Sequence, residues 1–349
     1  MASSSTIVAV DFFCGAGGMT RGLLDAGIAV LCGIDNDVSA KETYEKNNNV
    51  KFIRRDIRWL RTAELTKYIT EKHKRKLLFV ACSPCQPFSK INRHRKKSSR
   101  QRSLLLELTR FVHHYQPEFI LCENVPGIIK PRYRKVFRTF CRRLKRSGYK
   151  FQFKIIDAKA FGVPQSRKRM FLLAAKGSDI GFPESDPKHP VATVRDAIGH
   201  FPRIRAGQTH RQVPNHQAAN LSDLNLKRIA LTSKNGGGRE RWPSHLFLPC
   251  HQSHSGHTDV YGRMKWNAPS PPITTRCISY SNGRFGHPSQ NRAITPREAA
   301  AIQTFPDKYV FRSCNTIAAL HIGNAVPVSL ARLFGKYIIE AEGTDGRHL

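Results

Sequence analysis

Acidic residues are scarce in this sequence, with 25 Asp and Glu against 58 Lys and Arg in 349 residues. The resulting net charge of +33 points to a polyanionic partner. No uninterrupted apolar run approaches the roughly 20 residues that cross a bilayer, so we expect no membrane association. Residues 1–6 have neither a basic nor a long apolar stretch, which argues against secretion and for the cytoplasm.

The cysteines do not form a disulfide framework. They are nine in number, odd and scattered, which is typical of reduced intracellular thiols. The hydrophobic content of 40% is sufficient for a core and excludes wholesale disorder. The length fits one large domain or two of ordinary size.

Short apolar segments alternate with helical patterns in the first half of the chain. Strands are predicted at 6–13, 28–34, 52–53, 77–81, 119–122 and 170–174. Helices are predicted at 19–26, from the end of the second strand to residue 44, and at 104–115. This alternation is typical of the α/β class, with a parallel sheet covered on both faces.

The composition changes near residue 177, where Pro, Gly, His, Ser and Asn become frequent. We predict a first domain from 1–176 plus 312–349 and a smaller, loop-rich domain from 177–311. Within the latter, Thr295 and Glu298 form a predicted capping box that begins a helix. A final amphipathic helix at 328–340 is expected to pack on the first domain.

A glycine-rich turn formed by Gly15, Gly17 and Gly18 lies between a predicted strand and a predicted helix. Such glycines permit a tight turn and let a ligand approach the helix N-terminus. Asp35 ends the next strand, where a carboxylate can bind both ribose hydroxyls, and Asp56 could accept from an exocyclic amine. The spacing favours a nucleoside-containing cofactor, with a dinucleotide still open and a purely structural turn as the alternative.

Cys85 lies between two prolines directly after the fourth strand, at the sheet edge where chemistry collects in doubly wound folds. A rigidly held cysteine suits a nucleophile, although a structural cysteine is the alternative. A redox pair with Cys82 is disfavoured because the segment contains Pro84 and Pro87.

Glu123 follows the fifth strand and is a candidate acid at the same edge. The alternative is a surface carboxylate paired with an arginine. Strand alternation places Arg167 and Arg169 on one face, where they could bind a carbonyl oxygen or a phosphate. A solvated basic strand edge is the other interpretation.

Taken together, these motifs resemble those of the DNA (cytosine-5)-methyltransferase family, of the bacterial restriction–modification or orphan type. The matching segments, in the family's order, are 11–18 (DFFCGAGG), 84–89 (PCQPFS), 123–125 (ENV), 165–169 (QSRKR), 297–306 and 323–327 (GNAVP). The likeness covers nearly the whole chain and is weakest at 177–292, the family's variable target-recognition region. Arg55 and Ala301 depart from the pattern, where the family often carries Gly and Arg.

The resemblance implies a doubly wound, Rossmann-like methyltransferase domain at 1–176 plus 312–349 and a target-recognition domain at 177–311. It also implies S-adenosyl-L-methionine as the cofactor. The residues that would bind the cofactor are Phe13, Ala16, Gly18, Asp35, Asn36, Asp56, Ile57, Pro84, Leu104, Asn324 and Val326.

By the same resemblance, the Cys85 thiolate would add to carbon 6 of cytosine so that carbon 5 can accept a methyl group. Glu123 would bind ring nitrogen 3 and the exocyclic amine, and Arg169 the ring carbonyl oxygen. Arg167 would favour the thiolate. The base that removes the carbon-5 proton is not identified by the sequence.

The implied substrate is a cytosine flipped out of double-stranded DNA. The candidate DNA contacts are Gln86, Ser89, Lys90, Arg93, Arg95, Arg100, His257, Tyr261, Arg263, Thr275 and Arg276. The basic segment 90–102 is predicted to close on phosphates, with a solvated loop as the alternative. A second basic stretch, 130–154, is interpreted as general electrostatics first and as DNA-contacting surface second.

Three rival interpretations stay open. A zinc site formed by the cysteine and histidines at 250–257 is the first, but these residues lack the spacing of a structural zinc site, and no metal is expected. A loop that contacts DNA or caps the small domain is favoured there. A tRNA-specific branch of the family carries a Cys-Phe-Thr tripeptide that this chain lacks. A DNA-binding protein without activity is the third possibility. A monomer is expected, with a cognate restriction endonuclease as a candidate partner.

Overall fold

The structure is a computed structural model that describes residues 6–70, 75–84, 103–131, 133–185, 190–252 and 259–345. The strands are β1 (Ile7–Phe12), β2 (Ala29–Asp35), β3 (Lys51–Arg54), β4 (Lys76–Ala81), β5 (Phe119–Asn124), β6 (Tyr149–Asp157) and β7 (Lys168–Lys176). The α-helices are α1 (Gly18–Ala26), α2 (Lys41–Asn48), α3 (Leu104–Tyr115), α4 (Arg134–Arg146), α5 (Val194–Ile198), α6 (Asp223–Leu231), α7 (Pro249–Gln252), α8 (Pro296–Ile302), α9 (Asn315–Asn324) and α10 (Val328–Asp345). Short 3₁₀ turns connect several of them.

The seven strands form one sheet in the order β3-β2-β1-β4-β5-β7-β6. The α/β fold class is therefore confirmed, but the prediction of a parallel sheet was wrong at one edge. Strands β1 to β5 pair in parallel, whereas β7 pairs antiparallel with both β5 and β6. Strand β7 runs in the opposite direction because no α-helix lies between β6 and β7. A parallel strand would need such a crossover, which carries the chain back to the end of the sheet where β6 begins.

Helices cover both faces of this sheet. On one face, α3 and α4 contribute side chains to the core that also contains Phe12 and Phe79. On the other face, α10 packs on the sheet, where the Phe334 ring stacks on Phe171 with centroids 4.5 Å apart. The close contact of α10 with α1 requires Gly22, because a Cβ there would lie 2.4 Å from the Cβ of Ala331.

The chain divides into two compact units. The first contains 1–157, 168–186 and 326–349, and the second contains 158–167 and 187–325. The predicted domain boundaries at 176/177 and 311/312 stay a prediction.

Residues 315–343 are long and apolar enough by composition to cross a membrane, with a mean hydropathy of 1.4. However, 61% of the most apolar window is buried within the protein, as expected of core helices. The segment is also interrupted, because α9 ends at Asn324 and α10 begins at Val328.

The second unit has few regular elements, and several polar groups are buried in it. The predicted capping box at the start of α8 is present, because Thr295 Oγ1 accepts from the Glu298 N–H and the Glu298 carboxylate accepts from the Thr295 N–H. The same carboxylate binds the buried Arg292 guanidinium through two hydrogen bonds of 2.7 and 2.8 Å. Burial alone would raise the pKa of Glu298. The hydrogen bonds and positive charge of Arg292, together with His287 and the Thr295 N–H, outweigh this effect and lower the pKa to about 2.

Candidate active site

Four parallel strands end at one edge of the sheet, and each leads into a segment with candidate site residues. Strand β1 leads into the glycine turn, β2 ends at Asp35, β4 precedes Ser83, and β5 ends with Glu123 and Asn124. In parallel sheets, ligands bind outside the carboxyl ends of the strands. The first unit therefore brings these predicted site segments to the same edge.

The glycine turn has the tight backbone geometry that its sequence predicts. Phe13, Gly15 and Gly17 have φ angles of 61°, 49° and 91°, in the left-handed region that glycine adopts most readily. Gly17 caps α1 without a side-chain hydrogen bond, and a Cβ on Gly15 would meet nothing within 4 Å. The turn thus opens onto free space at the start of α1.

The Asp35 carboxylate is fixed beside this turn. Its Oδ2 accepts from the Gly15 N–H and its Oδ1 from the Asp37 N–H, each at 2.9 Å. Burial raises the pKa of Asp35, while these backbone hydrogen bonds oppose the rise. A carboxylate has about four acceptor positions, so two backbone donors leave capacity for ribose hydroxyls.

Beneath the turn lies a buried polar cluster around Asp11, a residue that the sequence analysis did not select. Thr20 Oγ1 donates to Asp11 Oδ2 at 2.6 Å and lies 2.9 Å from the Tyr44 hydroxyl. Asp11 Oδ1 has no hydrogen-bond partner among the described residues. Burial raises the pKa of Asp11 from 3.8 to about 7. Asp11 could have been selected, because it is the only charged residue of the apolar strand β1 and begins the 11–18 motif.

The apolar residues predicted to line the cofactor pocket share one cluster. Ile57 and Leu104 are buried in the core of the first unit, and Phe13 packs against it. Asp56 accepts hydrogen bonds from the backbone and guanidinium of Arg58, which lowers the pKa of Asp56. The free space at Gly15, the Asp35 acceptors and this apolar lining fit a nucleoside-bearing cofactor.

The other predicted cofactor residues are placed as follows. Ala16, Gly18 and Val326 are buried and Pro84 is half-buried, all in the first unit, and Asn36 is exposed after β2. Asn324 is the last residue of α9 in the second unit and is exposed.

The segment before the predicted nucleophile is tied to the neighbouring strand. Asn124 Nδ2 donates to the Ser83 carbonyl at 3.1 Å and to Ser83 Oγ at 2.9 Å. Both residues are buried. Cys85 itself lies outside the described residues, as do Gln86, Ser89, Lys90, Arg93, Arg95 and Arg100.

Glu123 forms an ion pair with Arg169 at this edge. The Arg169 Nε lies 2.8 Å from Glu123 Oε1, and Glu123 is 8% exposed. The antiparallel pairing of β5 with β7 aligns Asn124 with Met170, which places the preceding Arg169 beside the end of β5. Two predicted site residues from separate motifs are therefore in contact.

Arg167 is buried in the second unit and is not part of a solvated strand edge. Its two terminal nitrogens donate to the carbonyl oxygens of Ile273 at 2.8 Å and Gly323 at 2.9 Å. Gln165 Nε2 donates to Gln303 Oε1 at 2.8 Å, and Gln303 Nε2 donates to the Ile322 carbonyl at 2.6 Å. These contacts join three of the predicted motifs. Gln165 and Gln303 could have been predicted as structural links between motifs, because they lie in the motifs 165–169 and 297–306.

Two predicted DNA contacts in the second unit are corrected by the structure. Arg263 is 0% exposed and donates to four backbone carbonyls and to Asn291, so it cannot reach a phosphate. Tyr261 is buried beside Trp242 and Tyr280, with ring centroids 5.3 Å from each. Arg263 and Tyr261 are therefore core residues.

The remaining candidates differ in exposure. Arg276 is exposed and Thr275 is half-buried, in the loop before Cys277. His257 lies outside the described residues.

Comparison with known proteins identifies the family. A family profile described as C-5 cytosine-specific DNA methylase matches residues 7–340. The Type II methylase M.HgiDII of Herpetosiphon aurantiacus is 40% identical over 337 residues, covering 94% of each chain. The Type II methyltransferase M1.HphI of Haemophilus parahaemolyticus is 33% identical, covering 95% of this chain and 86% of that protein.

A solved structure shows the same fold. The protein, described as a DNA modification methyltransferase encoded within an E. coli prophage, superposes with a TM-score of 0.76 at 21% identity. The match covers 97% of this chain and 99% of the other. With its Rossmann-like sheet and a family profile matching nearly its whole length, the chain belongs to the C-5 cytosine-specific DNA methylase family and is a DNA cytosine-5-methyltransferase.

Proposed function

We propose that this protein methylates carbon 5 of a flipped-out cytosine in a specific double-stranded DNA sequence, through a transient bond to Cys85. One observation carries the proposal most directly. Asn124 holds Ser83, two residues before Cys85, against the strand that ends with Glu123. The rate of a nucleophilic attack depends strongly on how the nucleophile is positioned, and this attachment holds Ser83 beside the end of β5.

Glu123 and Arg169 are proposed to bind the target ring. The ion pair fixes the carboxylate at the end of β5, and Arg169 Nη1 is further oriented by the Lys168 carbonyl at 2.8 Å. Glu123 would bind ring nitrogen 3 and the exocyclic amine, while Arg169 would bind the ring carbonyl oxygen. These contacts stabilise the charge that develops when the ring is attacked.

The covalent steps balance on the cytosine ring. The Cys85 thiolate forms a bond to carbon 6, and the displaced electron pair makes carbon 5 nucleophilic. After carbon 5 has gained a methyl group, a base removes its proton. The electrons of that C–H bond restore the ring double bond and expel the thiolate. Arg167 is proposed to favour the thiolate form.

The proposed methyl donor is S-adenosyl-L-methionine, which supplies an electrophilic methyl group when bound. Asp35 would hold the ribose hydroxyls and Asp56 the adenine amine. The apolar lining would come from the buried cluster described above. The other proposed cofactor contacts are Ala16, Gly18, Asn36, Pro84, Asn324 and Val326.

The net charge of +33 supports a DNA substrate, since phosphate contacts dominate the affinity of such proteins. Thr275 and Arg276 remain proposed DNA contacts, together with His257 and the residues of 86–100 named above. We further propose a cytoplasmic monomer, with a cognate restriction endonuclease as the associated enzyme.

A cysteine replacement tests the covalent step. Bisulfite sequencing of a bacterial host that expresses the protein identifies the methylated site. A duplex with 5-fluorocytosine at that site should then give a stable adduct with the wild-type protein and none with Cys85→Ser. Cys314→Ser is the matched control, because Cys314 is exposed, and it should form the adduct normally. Methyl transfer by Cys85→Ser at the wild-type rate would refute the mechanism.

A further inference from the structure

Helix α4 presents an entirely cationic surface. Its basic residues are Arg134, Lys135, Arg138, Arg142, Arg143, Lys145 and Arg146, all of them exposed, and it has no acidic residue. Arg143 donates to the Leu106 carbonyl and to Thr109 Oγ1. The other six form no ion pair with an acidic side chain in the part of the chain that the structure describes.

The orientation of this helix is fixed by its opposite face. Phe137, Phe140 and Leu144 are buried in the core of the first unit. The Phe137 ring also meets the edge of Phe153 at a centroid distance of 5.0 Å. The helix cannot turn its cations inward, so its basic face is a permanent part of the surface.

The distribution of these cations is unfavourable for the helix itself. Arg134, Arg138, Arg142 and Arg146 repeat every four residues, a spacing at which like charges repel. Arg134 and Lys135 also lie in the first turn, where the helix dipole favours acidic side chains.

Several other helices have an acidic residue in the first turn, whereas α1, α9 and α10 have none. The first turns of α2, α3, α6 and α8 contain Glu42, Glu107, Asp223 and Glu298. The cations in the last turn of α4 are favourable to its dipole and need no further explanation. The first-turn cations oppose it, so folding of the helix does not account for them.

A bound polyanion would offset this repulsion, because each cation of α4 would be attracted to its negative charges. The 13 residues of α4 extend over about 20 Å, which corresponds to about six base pairs of duplex DNA. The cations are arranged as a line along the helix, whereas a small anion would need a concave cluster. The helix also follows Glu123 along the chain through one short 3₁₀ turn, Pro126–Ile129.

We propose that the basic face of α4 is a second DNA-binding surface, which contacts backbone phosphates of the duplex that flanks the methylated site. The proposal rests on the DNA-methylating function proposed above. It gives the segment 130–154 a specific role in place of general electrostatics.

A triple variant tests the proposal. Arg134→Gln, Lys135→Gln and Arg138→Gln together remove three cations from the first half of α4. Lys41→Gln, Lys46→Gln and Lys51→Gln form the matched control, because these three exposed lysines lie near the opposite edge of the sheet.

The measurement is the affinity for a 40-base-pair duplex over a series of salt concentrations. If all three cations contact phosphates, the slope of log affinity against log salt should become shallower by about 2.7 in the α4 variant. The control should keep the wild-type slope. The α4 variant should also show a higher Tm than wild type, because like-charge and dipole repulsion are relieved, so weaker binding could not be attributed to misfolding.

The outcomes separate this proposal from the proposed function. An α4 variant with the same slope as the control would overturn the second surface, whatever the methylating activity. If wild-type protein bound DNA with a steep slope that depended on α4 but transferred no methyl group, the surface would stand and the proposed function would fail.

Discussion

The buried carboxyl group of Asp11 makes the stability of the first unit depend on pH. Its pKa is raised from 3.8 to about 7, mainly because burial disfavours the charged form. A pKa raised by this amount means that the folded protein disfavours the ionised carboxyl, relative to the neutral one, by a free energy of about 4 kcal/mol. Because the folded pKa lies above the unfolded one, the stabilising effect is complete below pH 3.8 and is lost as pH rises towards 7.

Asp11→Asn removes this titration while it nearly preserves the shape of the side chain. From pH 6 to pH 8.5, we expect wild type to lose about 1.4 kcal/mol of unfolding free energy through Asp11. The variant should lack this part of the loss. Urea unfolding at both pH values measures the difference, and any constant effect of the new amide cancels when each protein is compared with itself.

Thr20→Val is the matched control, because it keeps the carboxyl and removes the hydroxyl that donates to it. Losing this hydrogen bond raises the pKa of Asp11 further, so the fall in stability between pH 6 and 8.5 should become larger. An Asp11→Asn variant with the same pH dependence as wild type would refute the assignment of a raised pKa to Asp11.

Three other changes have defined outcomes. Burial lowers the pKa of His287 to about 3, so stability should fall by about 1.4 kcal/mol per unit as pH drops from 6.5 towards 3, and urea unfolding of His287→Gln should lack that slope. Gly323→Ala should lower stability by about 3 kcal/mol, measured by thermal unfolding, because its Cβ would lie 2.3 Å from the Thr274 carbonyl carbon. Asn124→Ala should lower kcat about 100-fold, because it removes the hydrogen bonds that position Ser83. The affinity for S-adenosylmethionine, measured by calorimetry, should stay nearly unchanged.

The sequence predicted the central strands well because each is a continuous apolar run, as expected of strands buried on both faces. The glycine turn and the position of Asp35 were predictable because they depend on local backbone geometry. Strand β6 was missed. Its residues alternate Lys and Gln with aromatic and aliphatic side chains at the sheet edge, and Phe153 and Ile155 are 44% and 47% exposed. The alternation from Tyr149 to Ile155 is itself typical of a strand and could have predicted β6.

Contacts between distant segments could not be predicted. Nothing near Arg263 in the sequence indicates that carbonyl groups at 229, 232, 287 and 290 would surround its guanidinium. An arginine in a basic, loop-rich region has the same local appearance whether it faces DNA or the core. Its burial depends on loop conformations that local patterns do not specify.

Arg167 shows how one residue can have both a predicted chemical role and an observed structural one. Its guanidinium joins the carbonyl groups of Ile273 and Gly323, so it fixes the loop that leads to Thr275 and Arg276. Desolvated guanidinium groups that bind carbonyls are held rigidly, because leaving those partners would leave buried polar groups unsatisfied. Any effect of Arg167 on the thiolate would therefore come from a charge of fixed position. A lysine, with a single flexible ammonium, could not hold both carbonyl groups in this geometry.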